Sequence, residues 1–267
     1  MRVSSLVVTL VLAAASPPPA LAQTAAEHIA AGDSAFDTLH PDSALLHYQA
    51  AIALDSSNYE ALWKAARSIA DVAKQLQKKK DDTEERRRDS LYTVGRGYAE
   101  AAIRANPDGA NGHYALAMVL GRLSRTKGSK ERVRFARVIF DEASRAVAID
   151  SGHDGAHHVL GAWHAEVRRL SGIQRLFAKT LFGGGFMSRA SWDWAVWHLH
   201  NAVHYNPNYV YHRLELAEVL VDVGKYAEAR EQLEAIPPLP LRDVLDPQYK
   251  REAVELLERI RDKRDKT

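Results

Sequence analysis

The fold of this chain follows from the stretch Ala51-Ile52-Ala53-Leu54-Asp55-Ser56, a helix end that recurs three more times. Each copy places a small alanine and two bulky positions before an Asp or Asn and then Pro or Ser. A new amphipathic run begins a few residues later, so a second helix is expected to pack back against the first. The other copies are Ala102-Ile103-Arg104-Ala105-Asn106-Pro107, Ala146-Val147-Ala148-Ile149-Asp150-Ser151 and Ala202-Val203-His204-Tyr205-Asn206-Pro207.

The distance between the copies indicates the type of repeat. A tetratricopeptide unit has two helices, A and B, and a period of about 34 residues. Ala51, Ala102, Ala146 and Ala202 are spaced more widely than that. After each copy of the phrase, the next helix A begins at the distance that is normal for a tetratricopeptide unit. The extra residues are therefore expected between helices A and B of repeats two, three and four. The sequence thus predicts an all-α, tetratricopeptide-like solenoid with long insertions within its repeats.

Small and aromatic residues support this prediction at both ends of the array. Gly32 and Tyr48 in the first repeat, and Gly224 and Tyr226 in the last, lie at tetratricopeptide consensus offsets. Small residues suit close helix crossings, which the four repeated alanines are also expected to occupy. We therefore predict about five repeats over residues 23–267, closed by a capping helix from about Pro247 to Arg261.

The N-terminus has the pattern of a signal peptide. An apolar core from Leu6 to Ala15 is too short to span a bilayer, and Ala20-Leu21-Ala22 is a small-x-small cleavage site. We expect residues 1–22 to be removed after Ala22 and the protein to be exported, either periplasmic or secreted. A short N-terminal membrane anchor is the alternative. No later segment is long and apolar enough to predict a transmembrane helix.

Charge and composition exclude several classes of function. The 36 Lys and Arg residues are balanced by 34 Asp and Glu residues, for a formal net charge of +2. This balance argues against a nucleic-acid partner, which usually requires clustered excess Lys and Arg. The run from Lys78 to Asp89 also mixes both signs and predicts a solvated helix extension. The chain has 0 Cys, which removes disulfides, thiol nucleophiles and Cys-ligated zinc.

The spacing of several histidines raises a metal site as an alternative. His200 and His204 are four residues apart on a predicted helix, a spacing that can share a zinc ion. A zincin would place Glu after the first His, but Asn201 occupies that position. His157 and His164 lie two turns apart on another helix. We interpret these side chains as surface or groove residues that pack against Trp and Tyr, with a metal-dependent hydrolase as the alternative.

The other candidate catalytic and ligand-binding motifs are incomplete in this sequence. Gly183-Gly184-Gly185 has no following Lys-Ser/Thr for a phosphate loop, and no Gly-x-Ser-x-Gly elbow occurs. Trp192, Trp194 and Trp197 are able to form a sugar-stacking shelf, but we expect aromatic residues at helical spacing to lie in the core. We therefore predict no catalytic residue, no metal and no cofactor.

One insertion carries an apolar stripe. Ile173, Leu176, Phe177, Thr180 and Leu181 share one side of a helix, and Gly183 can end it. We predict a helix from Ser171 to Gly183 that docks this stripe on the solenoid and forms one wall of a groove. A partner or membrane surface is the alternative.

The C-terminal half resembles a known family. The residues that carry the resemblance are Gly161-Ala162-Trp163-His164, Leu170-Ser171, Leu181-Phe182-Gly183, Ser191, Ala195, Tyr211-His212-Arg213-Leu214-Glu215-Leu216-Ala217, a Gly-Lys turn, Pro237-Pro238 and the helix from Tyr249 to Leu257. In order and spacing they are similar to the regulator of microtubule dynamics family, from about Ala44 to the C-terminus. The resemblance implies tetratricopeptide-like helices, an adaptor role and, for animal members, association with microtubules and organelle contacts. Together with the signal peptide it suggests an exported, bacterial member.

A tetratricopeptide-like solenoid binds partners on its concave face, which helix A of every repeat lines. We therefore expect a non-catalytic scaffold that binds a peptide or protein segment in this groove. The alternatives are a microtubule-regulator-like role, the metal-dependent hydrolase, and a structural envelope protein whose helix faces are merely solvated. The groove candidates are Glu60, Trp63, Arg67, Asn111, Tyr114, Met118, Arg122, His158, Glu166, Tyr211 and Glu218.

Overall fold

The computed structural model describes residues 23–76 and 82–265, apart from the side chains of Asp82, Phe177 and Leu181. The predicted signal peptide and residues 78–81 of the charged run lie outside this part. The described residues form helices and no strand. The helices are α1 (Ala25–Asp37), α2 (Pro41–Leu54), α3 (Tyr59–Gln75), α4 (Asp82–Ala105), α5 (Ala110–Ser124), α6 (Ser129–Ile149), α7 (Asp154–Arg169), α8 (Gly172–Phe182), α9 (Trp192–Tyr205), α10 (Val210–Asp222), α11 (Tyr226–Glu234) and α12 (Asp246–Ile260), with a 3-10 helix at Gly184–Arg189.

The helices pair in order along the chain. The pairs are α1 with α2, α3 with α4, α5 with α6, α7 with α9, and α10 with α11, and α12 covers the last pair. The extra residues lengthen α4 and α6 to 24 and 21 residues, while α8 and the 3-10 helix are inserted between α7 and α9. The all-α, tetratricopeptide-like solenoid with insertions inside its repeats and a capping helix is confirmed.

Close helix crossings occupy the positions that the repeat phrase predicts. Ala51, Ala102, Ala146 and Ala202 are all 0% exposed, as expected. A Cβ atom at Gly32 would lie 2.5 Å from Cε1 of Tyr48, so the tyrosine fills the space that this glycine leaves open. At these positions the helices approach each other more closely than larger side chains would permit.

Capping residues set the ends of α8. The Ser171 hydroxyl accepts a hydrogen bond from the Gln174 backbone N–H, and the Gln174 side chain accepts one from the Ser171 N–H. Gly183 ends the helix with φ = 70°, a left-handed conformation that glycine adopts readily. The predicted helix between Ser171 and Gly183 is confirmed.

The prediction that the apolar stripe of α8 packs on the solenoid is wrong for its first two residues, Ile173 and Leu176. Ile173 and Leu176 are 68% and 60% exposed. The helix instead packs Ala178 and Phe182 against the central core. Ala178 lies roughly half a turn around the helix from both exposed residues, and its small side chain permits close packing. The side chains of Phe177 and Leu181, also in the stripe, lie outside the described part.

The apolar interior follows the repeats. The central cluster extends from α3 to the 3-10 helix, a second cluster joins α7 and α9 to α12, and a smaller one lies under α1 and α2. Within residues 23–76 and 82–265, no helix has the length and apolar character needed to cross a membrane.

Candidate protein-binding cavity

A concave cavity of about 620 Å³ lies between α5, α6, α7, α8 and α10. The helix register explains its floor, because residues at i, i+4 and i+8 of α5 share one face. Apolar residues of α6, including Val133 and Ile139, contribute to its lining. The structure brings six predicted site residues together here: Tyr114, Met118, Arg122, His158, Glu166 and Tyr211.

Arg122 places a positive charge in this cavity. Its guanidinium lies 5.8 Å from the ring centroid of Tyr211. Across the described ranges, no carboxylate forms an ion pair with it. The nearby Glu166 instead pairs with Arg169, at 2.8 Å between Oε1 and Nη1. The cavity therefore offers an anion a charged donor that no acidic side chain of the described chain neutralises.

Aromatic side chains give the cavity rigid, neutral walls. Tyr211 stacks on Tyr249 with ring centroids 4.5 Å apart, and Tyr114 packs against His153 at 4.8 Å. Burial raises the pKa of Tyr114 to about 12, so its phenol stays protonated at neutral pH. Tyr211 is held by Tyr249, and Tyr114 is held by His153. The rings of Tyr114 and Tyr211 can therefore anchor an apolar or extended ligand at a low entropic cost.

His158 contributes a neutral imidazole to the same cavity. Its Nδ1 lies 3.1 Å from Nδ1 of His212, whose Nε2 is 3.0 Å from the Asp154 carboxylate. Burial, and then repulsion from His212, holds the pKa of His158 well below its usual value. His158 is therefore a hydrogen-bonding group here and adds no charge to that of Arg122.

Three predicted site residues of α3 lie outside the cavity. Glu60 pairs with Lys64, with 3.4 Å between Oε2 and Nζ. Trp63 belongs to the core and is only 9% exposed. The Arg67 guanidinium lies 3.5 Å from the ring centroid of Phe36. Trp63 and Arg67 therefore pack at the junction between the first two hairpins, while Glu60 is exposed.

Asn111 and Glu218 also lie outside it. The Asn111 amide oxygen is 3.1 Å from Nε2 of His153, beside the cavity wall. Glu218 is half-buried on α10, where burial and then the neighbouring Glu215 raise its pKa to about 7. Of the eleven predicted site residues, these two and the three of α3 therefore do not line the central cavity.

A buried polar network joins distant parts of the chain. Lys74 of α3 pairs with Asp243 in the loop before α12, and with Asp71 one turn earlier. The Tyr209 hydroxyl also donates to Asp243, at 2.7 Å. This network was not predicted from the sequence. The spacing of Lys74, two turns after the predicted groove residue Arg67 on α3, points to the same helix face. No repeat pattern marks Asp243.

The histidines separate into two groups. His200 pairs with Glu228 at 2.6 Å, and His204 is exposed one turn later on the same helix. His157 and His198 meet between α7 and α9 with their Nδ1 atoms 3.0 Å apart, and His164 stacks on His198. In the part of the chain that the structure describes, no group of three potential ligands is arranged to hold a metal ion.

The expected burial of the three tryptophans of α9 is only partly correct. Trp192 is half-buried and packs against the C-terminal core. Trp194 and Trp197 are 51% and 48% exposed, with their rings edge-to-face and 5.3 Å apart between centroids. The physical reason is that α9 turns Ala195 and Leu199 toward α7, which leaves the two tryptophans at the margin of that contact.

A family model matches most of this chain. The model described as regulator of microtubule dynamics protein 1-3 matches residues 29–261. The match covers the helices from α1 to α12, including those that surround the cavity.

Two curated proteins illustrate the similarity. Regulator of microtubule dynamics protein 3 of Xenopus laevis is 28% identical over 132 residues, which are 48% of this chain and 27% of that protein. Regulator of microtubule dynamics protein 1 of Bos taurus is 26% identical over 210 residues, 78% of this chain and 64% of that protein. The chain thus spans less than two thirds of the length of each relative.

A solved structure has the same fold. A thermophilic TPR protein of Thermus thermophilus superimposes with a TM-score of 0.61 and 16% sequence identity, covering 87% of this chain and 100% of that one. At this identity the likeness concerns the fold alone.

Proposed function

The chain belongs to the regulator of microtubule dynamics protein 1-3 family, and from this premise we propose that it is a non-catalytic scaffold that binds a protein segment in the central cavity. The observation that carries the proposal is Arg122, a cation without a carboxylate partner in the described chain, set among tyrosines in a cavity of about 620 Å³. Cavities of this size are typical of specific binding sites.

We infer that the bound segment is extended and supplies a carboxylate to Arg122. A guanidinium binds a carboxylate through two parallel hydrogen bonds, and such charge-assisted bonds are stronger than neutral ones. Tyr114 and Tyr211 then contact the neighbouring side chains of the segment, while the apolar residues of α6 exclude water. This arrangement favours an acidic side chain or a free C-terminus flanked by apolar residues.

The test measures binding of synthetic peptides by fluorescence anisotropy. Peptides of about six residues span about 20 Å when extended, and one pool carries an acidic residue where a matched pool carries its amide. We expect the acidic pool to bind, and Arg122→Gln to weaken binding by about 10- to 100-fold, equivalent to about 1.5–3 kcal/mol.

Arg104→Gln is the matched control, because Arg104 is exposed near the end of α4 and does not line the cavity. Both variants should keep the wild-type melting temperature. Equal binding of the acidic and amide pools, or equal binding by wild type and Arg122→Gln, would refute this function.

A second candidate function rests on the names of the relatives, which are called regulators of microtubule dynamics. In this case the chain would bind microtubules directly. Sedimentation with purified microtubules tests it: a chain that pellets with them, and that also stays inside the cell, supports this candidate over the cavity proposal.

We also propose that the protein is exported after cleavage behind Ala22. The support is the short apolar core followed by Ala20-Leu21-Ala22. Export would remove the protein from intracellular microtubules, so its location discriminates between the two candidate functions.

A further inference from the structure

Helix α8 presents an apolar surface that no described residue covers. Ile173 and Leu176 are one turn apart and 68% and 60% exposed. On the other side of the helix, Ala178 is buried and Phe182 packs against the core. The helix is therefore held to the solenoid by one side, and its opposite side is available to something outside the molecule.

The sequence around α8 concentrates positive charge. Between Glu166 and Asp193 there is no acidic residue, although the whole chain has a formal net charge of only +2. The basic residues in this interval are Arg168, Arg169, Arg175, Lys179 and Arg189. The chain is thus far more basic near α8 than its overall charge indicates.

Two of these basic residues have structural partners. Arg169 pairs with Glu166 and with Asp222, and the Arg175 guanidinium donates to the backbone carbonyl of Leu170, which fixes the start of α8. The remaining three, Arg168, Lys179 and Arg189, are exposed, and no carboxylate among the described residues pairs with them.

We propose that α8 docks this protein peripherally on an anionic phospholipid surface. Ile173 and Leu176 enter the headgroup boundary, while Lys179 and the neighbouring arginines contact lipid phosphates. An apolar side combined with basic residues and no acidic ones is typical of interfacial helices. At 11 residues α8 is too short to span a bilayer, so it lies in the plane of the surface.

Charge favours a lipid surface over a second copy of the chain. Two copies that met through α8 would bring their basic residues together, and like charges in contact disfavour association. An anionic surface instead neutralises Arg168, Lys179 and Arg189 while it covers the apolar residues. This docking is independent of any ligand in the central cavity.

The experiment measures sedimentation with vesicles. The protein is purified in the form in which it accumulates in the cells that produce it. It is mixed with phosphatidylcholine vesicles that contain or lack phosphatidylglycerol. We expect preferential binding to the anionic vesicles, weakened by added salt. The double variant Ile173→Asp/Leu176→Asp should lower the partition coefficient by about tenfold or more. Leu46→Asp is the control, since Leu46 is also 68% exposed but lies on α2.

A site-specific label gives a second measurement. Because the chain has no cysteine, Leu176→Cys can carry an environment-sensitive fluorophore, with Leu46→Cys as the matched control. Anionic vesicles should shift the emission of the label at position 176 to the blue and leave the label at position 46 unchanged. Equal binding by wild type and the double variant, or a dimer that the double variant dissociates without any vesicle binding, would overturn the proposal.

Discussion

The ammonium nitrogen of Lys74 lies 2.5 Å from Oδ2 of Asp243, although 169 positions separate the two residues. Both side chains are buried, at 3% and 5% exposure. Asp71 and the Tyr209 hydroxyl complete the network around them. The pair joins the second hairpin to the loop before the capping helix, so it holds distant parts of the solenoid together across the concave face.

Removal of Lys74 should destabilise the fold strongly. Lys74→Met leaves Asp243 as a buried charge without a cation, and such a change costs about 3–5 kcal/mol. The measurement is the free energy of unfolding in urea, followed by circular dichroism. Lys64→Met is the matched control, because the Lys64–Asp33 pair is partly exposed and should cost about 1 kcal/mol or less. Equal losses in the two variants would contradict the bridging role of Lys74.

Protonation of the histidines between α7 and α9 should destabilise the protein. Burial lowers the pKa of His164 to about 4, and burial followed by repulsion from His157 and His164 lowers that of His198 to about 3. The unfolded chain takes up these protons near pH 6.5, before the folded chain does. The contribution of these neutral histidines is therefore fully present above pH 6.5 and is lost as the pH falls toward 4.

A variant separates this effect from other groups, because buried carboxyls with raised pKa values, such as Glu218, act in the opposite direction. His198→Gln should lose less stability than wild type between pH 7 and pH 4, by about 2–3 kcal/mol. His204→Gln, at an exposed position of the same helix, should follow the wild-type curve. Parallel curves for His198→Gln and wild type would count against the titration of this cluster.

Overpacking at a repeated alanine should be costly. Ala202 is 0% exposed on α9, so Ala202→Leu forces neighbouring side chains aside and costs about 1–3 kcal/mol. Thermal melting measures the change, and Ala30→Leu, at an exposed position of α1, should leave the melting temperature nearly unaltered. A wild-type melting temperature for Ala202→Leu would be inconsistent with a close crossing there.

N-terminal sequencing tests the proposed export. The protein recovered outside the cytosol should begin at Gln23, because the small residues at positions 20 and 22 suit signal peptidase. Ala22→Asp should block cleavage and leave the longer chain attached to membranes. Recovery of a cytosolic protein that retains Met1 would exclude this route.

Local repetition made the fold predictable. The small residues Ala51 and Gly32 mark close crossings, and Ser171 with Gly183 marks both ends of α8, because these features depend on residues near one another in the chain. The register of α5 likewise predicted that Tyr114, Met118 and Arg122 share a face. Such properties follow from helix geometry alone.

Long-range packing was not predictable in the same way. The contact between Lys74 and Asp243 depends on how strongly the array curves over several hairpins. No local sequence pattern specifies that curvature. Ile173 and Leu176 formed a convincing apolar stripe, yet the small Ala178 on the opposite side allowed the closer approach to α6. In the same manner α9 buried Ala195 and Leu199 rather than Trp194 and Trp197.

The pair formed by Lys74 and Asp243 has a consequence for folding. Repeat arrays with contacts only between neighbours can unzip from either end, because each unit depends on the next one alone. Here a unit near the start also depends on a loop near the end, which adds a contact of very high sequence separation. The array should therefore unfold in one cooperative transition, and the entropic cost of closing so long a loop should slow its folding.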